Sequence, residues 1–289
     1  MDNLTALVSC FARAYHHKTA KVRVFDDTAA ERLLGEDYAR IAQSMADGAG
    51  FFFPELNISP EEGLRKIVDR QLAPSVLGRS AFCEELLRKY DFGQYVIFAA
   101  GYDTFSVIKS AGEIPVFELD LPEMLADKRK RLDKCGLESG AVFVPCDLSE
   151  DAWCDKLLRA GYRTDKTAFA SLLGISYYLE KTDFTKLLRT ISGVMREGSV
   201  LCLDYPAGDG GREAETNRAL AHGAGETMKA SYGAGEMKTL LRGCGFEMLE
   251  SLDADGMTEH YFCAHNAAEP EHEMHAPAGV SYAAAIKLR

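Results

Sequence analysis

From Gln94 onward the chain repeats one pattern: a short apolar run, a turn, then apolar residues at helical spacing. The runs are QYVIFAA (94–100), PVFELD (115–120), AVFVPCD (141–147), TAFASLLG (167–174) and SVLCLDYP (199–206). Runs this continuous are buried on both faces, and helices returning between them make the strands parallel. Pro122 suits the first turn of one such helix, with Leu125, Lys128 and Leu132 following and Gly136 closing it. A second starts at Asp183 and sets Phe184, Leu187, Leu188, Ile191, Val194 and Met195 on one face. A third, on Met237, Leu240, Leu241 and Cys244, precedes FEMLESL (246–252), and VSYAAAIKL (280–288) is the last run. Seven strands, five of them in strict alternation, predict an α/β fold with a doubly wound, mostly parallel sheet. Residues 1–90 carry helical patterns and few β-branched runs, so they are expected to form a helical cap on a single domain, 1–289, whose core is 91–289. The glycine-rich polar stretch 207–235 reads as a loop or lid.

Composition narrows the partners. The 33 Lys and Arg stand against 44 Asp and Glu, a net charge of −11, which argues against nucleic acid or an anionic membrane as the main partner. No apolar run approaches the roughly 20 residues of a membrane span, and the N-terminus has Asp2 and no basic region. The eight cysteines are scattered without a C-x-x-C pair, most within apolar segments, as in a reducing cytoplasm. A cytoplasmic location is therefore expected. His265, His272 and His275 match no zinc spacing, and Pro270 and Pro277 make that tail a loop, so no metal site is expected. His16 and His17, beside Lys18 and Lys21, read as a solvated helix end, and Trp153 as core.

In an open parallel sheet, ligands bind beyond the carboxyl ends of the strands, near the switch point. After the first strand comes Ala99-Ala100-Gly101-Tyr102-Asp103-Thr104. Gly101 permits close backbone approach, and Asp103-Thr104 can cap the next helix. The turn lacks G-x-G-x-x-G, so no phosphate cradle is implied. The second strand ends in Phe117-Glu118-Leu119-Asp120, where such sheets hydrogen-bond a ribose diol. Alternation puts Glu118 and Asp120 on one face and leaves open which acid serves. The third strand ends in Asp147-Leu148, suited to an exocyclic amine and a purine face, although Asp147 equally suits an N-cap for Ser149 onward. Glycine turn, ribose acid and base-side acid together describe a nucleoside site without phosphate recognition.

VIFAAGYDTF, VFELDLPEML, VPCDL, LLGISYYL and LCLDYP, in order and spacing from about Phe11 to Leu288, resemble the leucine carboxyl methyltransferase-like family. That family is a Rossmann-like, class I branch of the S-adenosyl-L-methionine-dependent methyltransferases. Its common motifs are L-G-A-G-x-D-T, F-E-x-D-x-P, x-P-x-D-L and E-G-x-x-x-Y-L. The resemblance implies S-adenosyl-L-methionine as methyl donor and Arg79, in Gly78-Arg79-Ser80, as the partner of its carboxylate; a guanidinium fork suits that bidentate geometry. It sets Gly101 at the methionine part, Asp120 with Glu118 at the ribose, and Asp147 and Leu148 at the adenine, with Ala100, Asp103, Thr104 and Leu173 also among the cofactor-binding residues. Three positions depart: the first turn glycine is Ala99, the arginine after Asp-Thr is Phe105, and the glutamate before Gly174 is Leu173. The founding enzyme's acceptor, the C-terminal leucine carboxylate of a phosphatase subunit, is therefore not carried over to this chain.

An O-nucleophile, carboxylate or hydroxyl, on a small molecule or peptide is the expected acceptor. Tyr177, Tyr178, Tyr205, His222 and Glu226 are the candidates at the acceptor mouth, where a hydroxyl would need a base and a carboxylate would not. Two rivals stand beside this reading. One is a cofactor-binding scaffold without turnover, favoured by Leu173; the other is an NAD(P)-dependent oxidoreductase, which needs a glycine array that Ala99 and Ala100 do not supply.

Overall fold

The computed structural model describes residues 3–52, 58–108, 114–208, 229–233 and 235–289, with the backbone alone at 51 and 52. Each apolar run becomes a strand: β1 Gln94–Phe98, β2 Val116–Asp120, β3 Val142–Pro145, β4 Ala168–Leu172, β5 Val200–Pro206, β6 Phe246–Leu252 and β7 Val280–Lys287. They form one sheet in the order β3-β2-β1-β4-β5-β7-β6. The first five are parallel, and β7 lies antiparallel between β5 and β6. The direction of the chain across the sheet reverses between β1 and β4, so the switch point lies where the ends of these strands part.

Every residue of β1 and β4 is buried. The two faces need two helical layers, and alternate residues along each strand serve them. One layer contains α1 (Leu4–Thr19), α2 (Ala30–Leu34), α3 (Glu36–Asp47), α4 (Ala49–Phe52), α5 (Pro60–Ile67), α6 (Ala73–Lys89) and α8 (Pro122–Cys135), with Tyr95, Ile97 and Tyr282 facing it. The other contains α9 (Trp153–Arg159), α10 (Lys181–Val194) and α11 (Glu236–Gly243), with Val96, Phe98 and Leu119 facing it. Between the layers' margins α7 (Phe105–Ile108) is a single turn. Phe184, Leu187, Leu188 and Ile191 of α10 are buried as their spacing requires, and α8 has Pro122 in its first turn and left-handed Gly136 at its end. Trp153 is core, edge-on to Phe98 at 5.3 Å.

The cap is tied to the sheet through one buried carboxylate. Asp27 accepts from Arg13 Nε at 2.7 Å, from Thr104 Oγ1 at 2.7 Å and from the amides of Ala29 and Ala30 at 3.1 and 2.9 Å. Arg13 also donates to the carbonyl of Tyr102 at 2.6 Å. Helix α1, the entry to α2 and the turn after β1 therefore share one hydrogen-bonded cluster.

Two expectations about histidine are corrected. His16 is not solvated; it is buried, its Nε2 accepts from the Val24 amide at 2.9 Å, and burial beside His265 lowers its pKa to about 3. The tail is not simply a loop, because α12 (Ala254–Met257), a π-turn over Thr258–Phe262 and α13 (Cys263–Ala268) precede the prolines. There His265 is buried between the carbonyls of Val22 and His272, at 2.8 and 3.1 Å. Among the described residues no His/Cys/Asp/Glu group could hold a metal ion, and no helix is long and apolar enough to cross a membrane. All eight cysteines are free, and only Cys263 is exposed.

Removing Asp27 leaves the buried Arg13 charge without its partner, a loss on the scale of about 3–5 kcal/mol. Urea denaturation of Asp27→Ala is expected to show a loss of that size.

Candidate active site

The site lies at the carboxyl ends of β1 to β5. The turn after β1 is held by the Asp103 amide donating to the carbonyl of Ala100 at 2.8 Å and by the Ala100 amide donating to Leu119 at 3.1 Å. Ala99 sits at φ +52° and Gly101 at φ +49°. The first is a left-handed conformation that an L-residue with a Cβ adopts at a cost of roughly 1–2 kcal/mol; this strained alanine stands where a glycine is expected. Asp103 Oδ1 accepts from the Phe105 amide at 2.8 Å and starts α7, while Thr104 is turned inward to Asp27. The cap reading of the Asp-Thr pair thus holds for the aspartate only.

The two acids of β2 have different surroundings. Asp120 lines a cleft of about 300 Å³ with Ala99, Leu121, Cys146, Asp147, Leu148, Trp153, Ile175 and Leu179. Its carboxylate accepts from the amides of Gly101 and Leu121, both at 2.7 Å. Burial pushes its carboxyl above the usual range, and the two amides pull against that. Glu118 is fully buried one residue pair deeper. It is ion-paired with the equally buried Lys128 of α8 and accepts from Ser106 Oγ at 2.7 Å, so it does not reach the cleft. Burial raises its carboxyl too, offset by Lys128. Asp147 faces the same cleft as Asp120, and one of its oxygens accepts from the amide and the hydroxyl of Ser149 at 2.8 and 2.7 Å. That is an Asx turn, with α9 starting only at Trp153.

Arg79 of α6 approaches the sheet at Gly174, just past β4. Gly174 has φ +72°, and a Cβ there would stand 2.6 Å from Nη1, 3.0 Å from Cζ and 3.1 Å from Nη2 of Arg79. The guanidinium therefore packs close against the side of Gly174 from which a Cβ would project. Its nearest carboxylate oxygen among the described residues is Asp204 Oδ2, at 3.6 Å, and no hydrogen bond links them. Asp204, at the end of β5, is fully buried and accepts from the Gly174 amide at 2.6 Å and from the Tyr177 hydroxyl at 2.9 Å. Among the described residues the guanidinium donors thus make no hydrogen bond beside the strand ends.

The acceptor-side candidates separate. Tyr177 is buried, and burial next to Asp204 holds its phenol well above the usual tyrosine range. Tyr178 is half-buried, with its ring 6.2 Å from that of Tyr177. Tyr205 is packed in the core edge-on to Tyr232 at 6.1 Å, on the α10 side of the sheet. His222 and Glu226 lie outside the described residues, as does most of the 207–235 segment, whose flanks are joined by a bridge between Ala207 and Tyr232. Leu173 and Phe105 come together in a small cavity of about 40 Å³ with Tyr95, Cys83, Arg13 and Thr104. A larger open groove of about 930 Å³ runs between α10 and α11 and contains none of the strand-end residues.

Sequence reasoning missed Arg13, Asp27, Asp204 and Tyr282. Asp204 was visible as an acid at a strand end in LCLDYP. Arg13 and Asp27 gave no comparable signal, because their contact with the first turn spans up to 89 residues.

The model of the family described as leucine carboxyl methyltransferase matches residues 6–192. A Bacillus subtilis (strain 168) protein named "Putative S-adenosyl-L-methionine-dependent methyltransferase YktD" is 32% identical over 297 residues, covering 95% of this chain and 97% of the relative. Among solved structures, one titled "putative methyltransferase" from Thermobifida fusca YX aligns over 90% of this chain and 93% of its own, with a TM-score of 0.61 and 16% identity. A DUF574 family protein of Streptomyces avermitilis MA-4680 aligns over 86% and 100%, with a TM-score of 0.58 and 13% identity. The two structures share the fold, and the matched span contains the first four strands together with Arg79, Asp120, Asp147 and Gly174. This chain belongs to the leucine carboxyl methyltransferase family.

Proposed function

We propose that the protein transfers the methyl group of S-adenosylmethionine to an oxygen nucleophile, a carboxylate in preference to a hydroxyl, on a small molecule or peptide. The observation that carries this reading is the Arg79 fork, which has no hydrogen bond among the described residues and only a 3.6 Å ion pair with Asp204, at the same sheet end whose cleft is lined by Asp120 and Asp147. Arg79 suits the one carboxylate of the donor. Asp120 suits the ribose: each of its oxygens accepts one amide and keeps a lone pair for a hydroxyl. The unengaged oxygen of Asp147 suits the adenine amine, and Leu148 its ring face. The bound donor supplies a methyl group on a sulfonium, already electrophilic. What remains for the chain is alignment and exclusion of water.

The preference for a carboxylate rests on two of the candidate phenols, Tyr177 and Tyr205. Tyr177 gives its proton to a hydrogen bond with Asp204 and is held protonated, and Tyr205 is enclosed in the core. Neither is placed to deprotonate a hydroxyl. A carboxylate acceptor is ionised at neutral pH and needs no base. Transfer of labelled methyl from S-adenosylmethionine to a panel of carboxylic acids and phenols tests this: methyl esters release methanol in mild base, whereas ethers do not. Base-stable product would exclude the carboxylate, and absence of any labelled product would leave a scaffold.

Three variants, with Glu118→Gln as a control, address the donor site. Arg79→Ala is expected to weaken S-adenosylhomocysteine binding by about 1.5–3 kcal/mol, the scale of a charged hydrogen bond, measured by calorimetry. Asp120→Ala is expected to weaken it on the same scale, while Glu118→Gln lowers the unfolding midpoint and leaves the affinity within about twofold. Gly174→Ala is expected to lose roughly 1–2 kcal/mol of stability from its left-handed φ and, by pushing on the guanidinium, to weaken the same ligand.

A further inference from the structure

We propose that Asp204 is the positioning residue for Arg79, with Tyr177 locking its carboxylate and Tyr282 standing by as a second donor to it; this rests on the reading of Arg79 as the holder of the donor's carboxylate. A guanidinium on a long side chain needs a reason to pack against Gly174 rather than extend into solvent. Asp204 supplies it. The carboxylate is fully buried and held by the Gly174 amide at 2.6 Å and the Tyr177 hydroxyl at 2.9 Å, so it cannot turn away. Its Oδ2, 3.6 Å from Nη1, attracts the arginine without closing a hydrogen bond. The fork is thus oriented by charge while its donors stay available. The Ser176 hydroxyl, donating to the Asp204 carbonyl at 2.7 Å, joins the same segment to the end of β5. On this account Gly174, Ser176 and Tyr177 act together as a platform for the arginine, and Tyr177 takes no part in chemistry.

Tyr282 is the independent observation. It pairs with Asp204 across the β5–β7 ladder, so the two side chains rise from neighbouring strands on one face. Its ring packs 6.2 Å from that of Phe82, which follows Arg79 by three residues on the same side of α6. Yet among the described residues its buried hydroxyl has no hydrogen-bond partner. A buried donor left unsatisfied is costly and calls for an explanation. The explanation offered is that Asp204 is shared. When Arg79 turns toward a bound carboxylate, Asp204 loses part of its countercharge, and the Tyr282 hydroxyl is the donor at hand to replace it.

The test compares two ligands that differ in the carboxylate: S-adenosylhomocysteine, which has it, and 5′-methylthioadenosine, which keeps the nucleoside and lacks the amino-acid end. With calorimetry as the readout, Asp204→Asn is expected to weaken S-adenosylhomocysteine at least tenfold and to leave methylthioadenosine within twofold. Tyr177→Phe, which removes one hydroxyl, is expected to weaken the first ligand severalfold and spare the second, and it decides the matter if Asp204→Asn does not fold. Tyr282→Phe is expected to raise the melting temperature of the free protein, since no bond is lost there, and still to weaken S-adenosylhomocysteine severalfold. Equal weakening of both ligands by Asp204→Asn or Tyr177→Phe, or unchanged binding of both, would overturn the positioning role. Unchanged binding by Tyr282→Phe would overturn that residue's part. Failure of the unaltered protein to bind either ligand would instead sink the donor reading itself.

Discussion

Burial of the parallel strands on both faces is the constraint from which the other features follow. Because β1 and β4 expose no side chain, helices must cover both sides, and neither face of the central sheet is left for chemistry. What stays open is the rim at the carboxyl ends, where successive turns come together around the reversal between β1 and β4. The strained Ala99, Gly101, Asp120, Asp147 and Gly174 are all rim residues. The apolar runs that build the sheet therefore also dictate where a site can be.

Four of the acids near that rim, Glu118, Asp27, Asp204 and Asp120, differ in their partners. Glu118 is neutralised by Lys128 in the interior and serves packing between β2 and α8. Asp27 gathers Arg13, Thr104 and two amides and joins the cap to the first turn. Asp204 is enclosed by Gly174 and Tyr177 and faces Arg79. Asp120 alone of the four lines the cleft, with lone pairs to spare beyond its two amides. A carboxylate in such a setting is fixed by whichever donors surround it, and an unpaired one would be far too costly to keep.

The replacement of two charged family positions by Phe105 and Leu173 has a local physical meaning. Both line one small cavity with Tyr95, whose ring stands edge-on to Phe105 at 5.0 Å. An apolar pair in that enclosed space is self-consistent, whereas one charged member alone would be stranded.

The seven strands, the burial of α10 and the ends of α8 were all legible from the sequence, because two-sided burial, helical periodicity and the Pro/Gly signals at helix ends are local properties. Asp120 and Asp147 could be set at strand ends by counting along the chain, and Arg79 was singled out by the family resemblance. Other features depended on the folded chain. Glu118 and Asp120 share one face of one strand, and only the approach of Lys128 and Ser106 to the first separates them. His16 reads as a solvated neighbour of lysines until α1 packs against the tail that carries His265. Tyr205 follows a strand-end acid yet faces the other helical layer. Asp204 meets Tyr282 because β7 inserts antiparallel beside β5, a pairing across 78 positions that no local pattern encodes. Sequence determined which residues were at the rim; tertiary structure decided which of them retained an open hydrogen-bonding valence, because that depends on partners brought from distant parts of the chain.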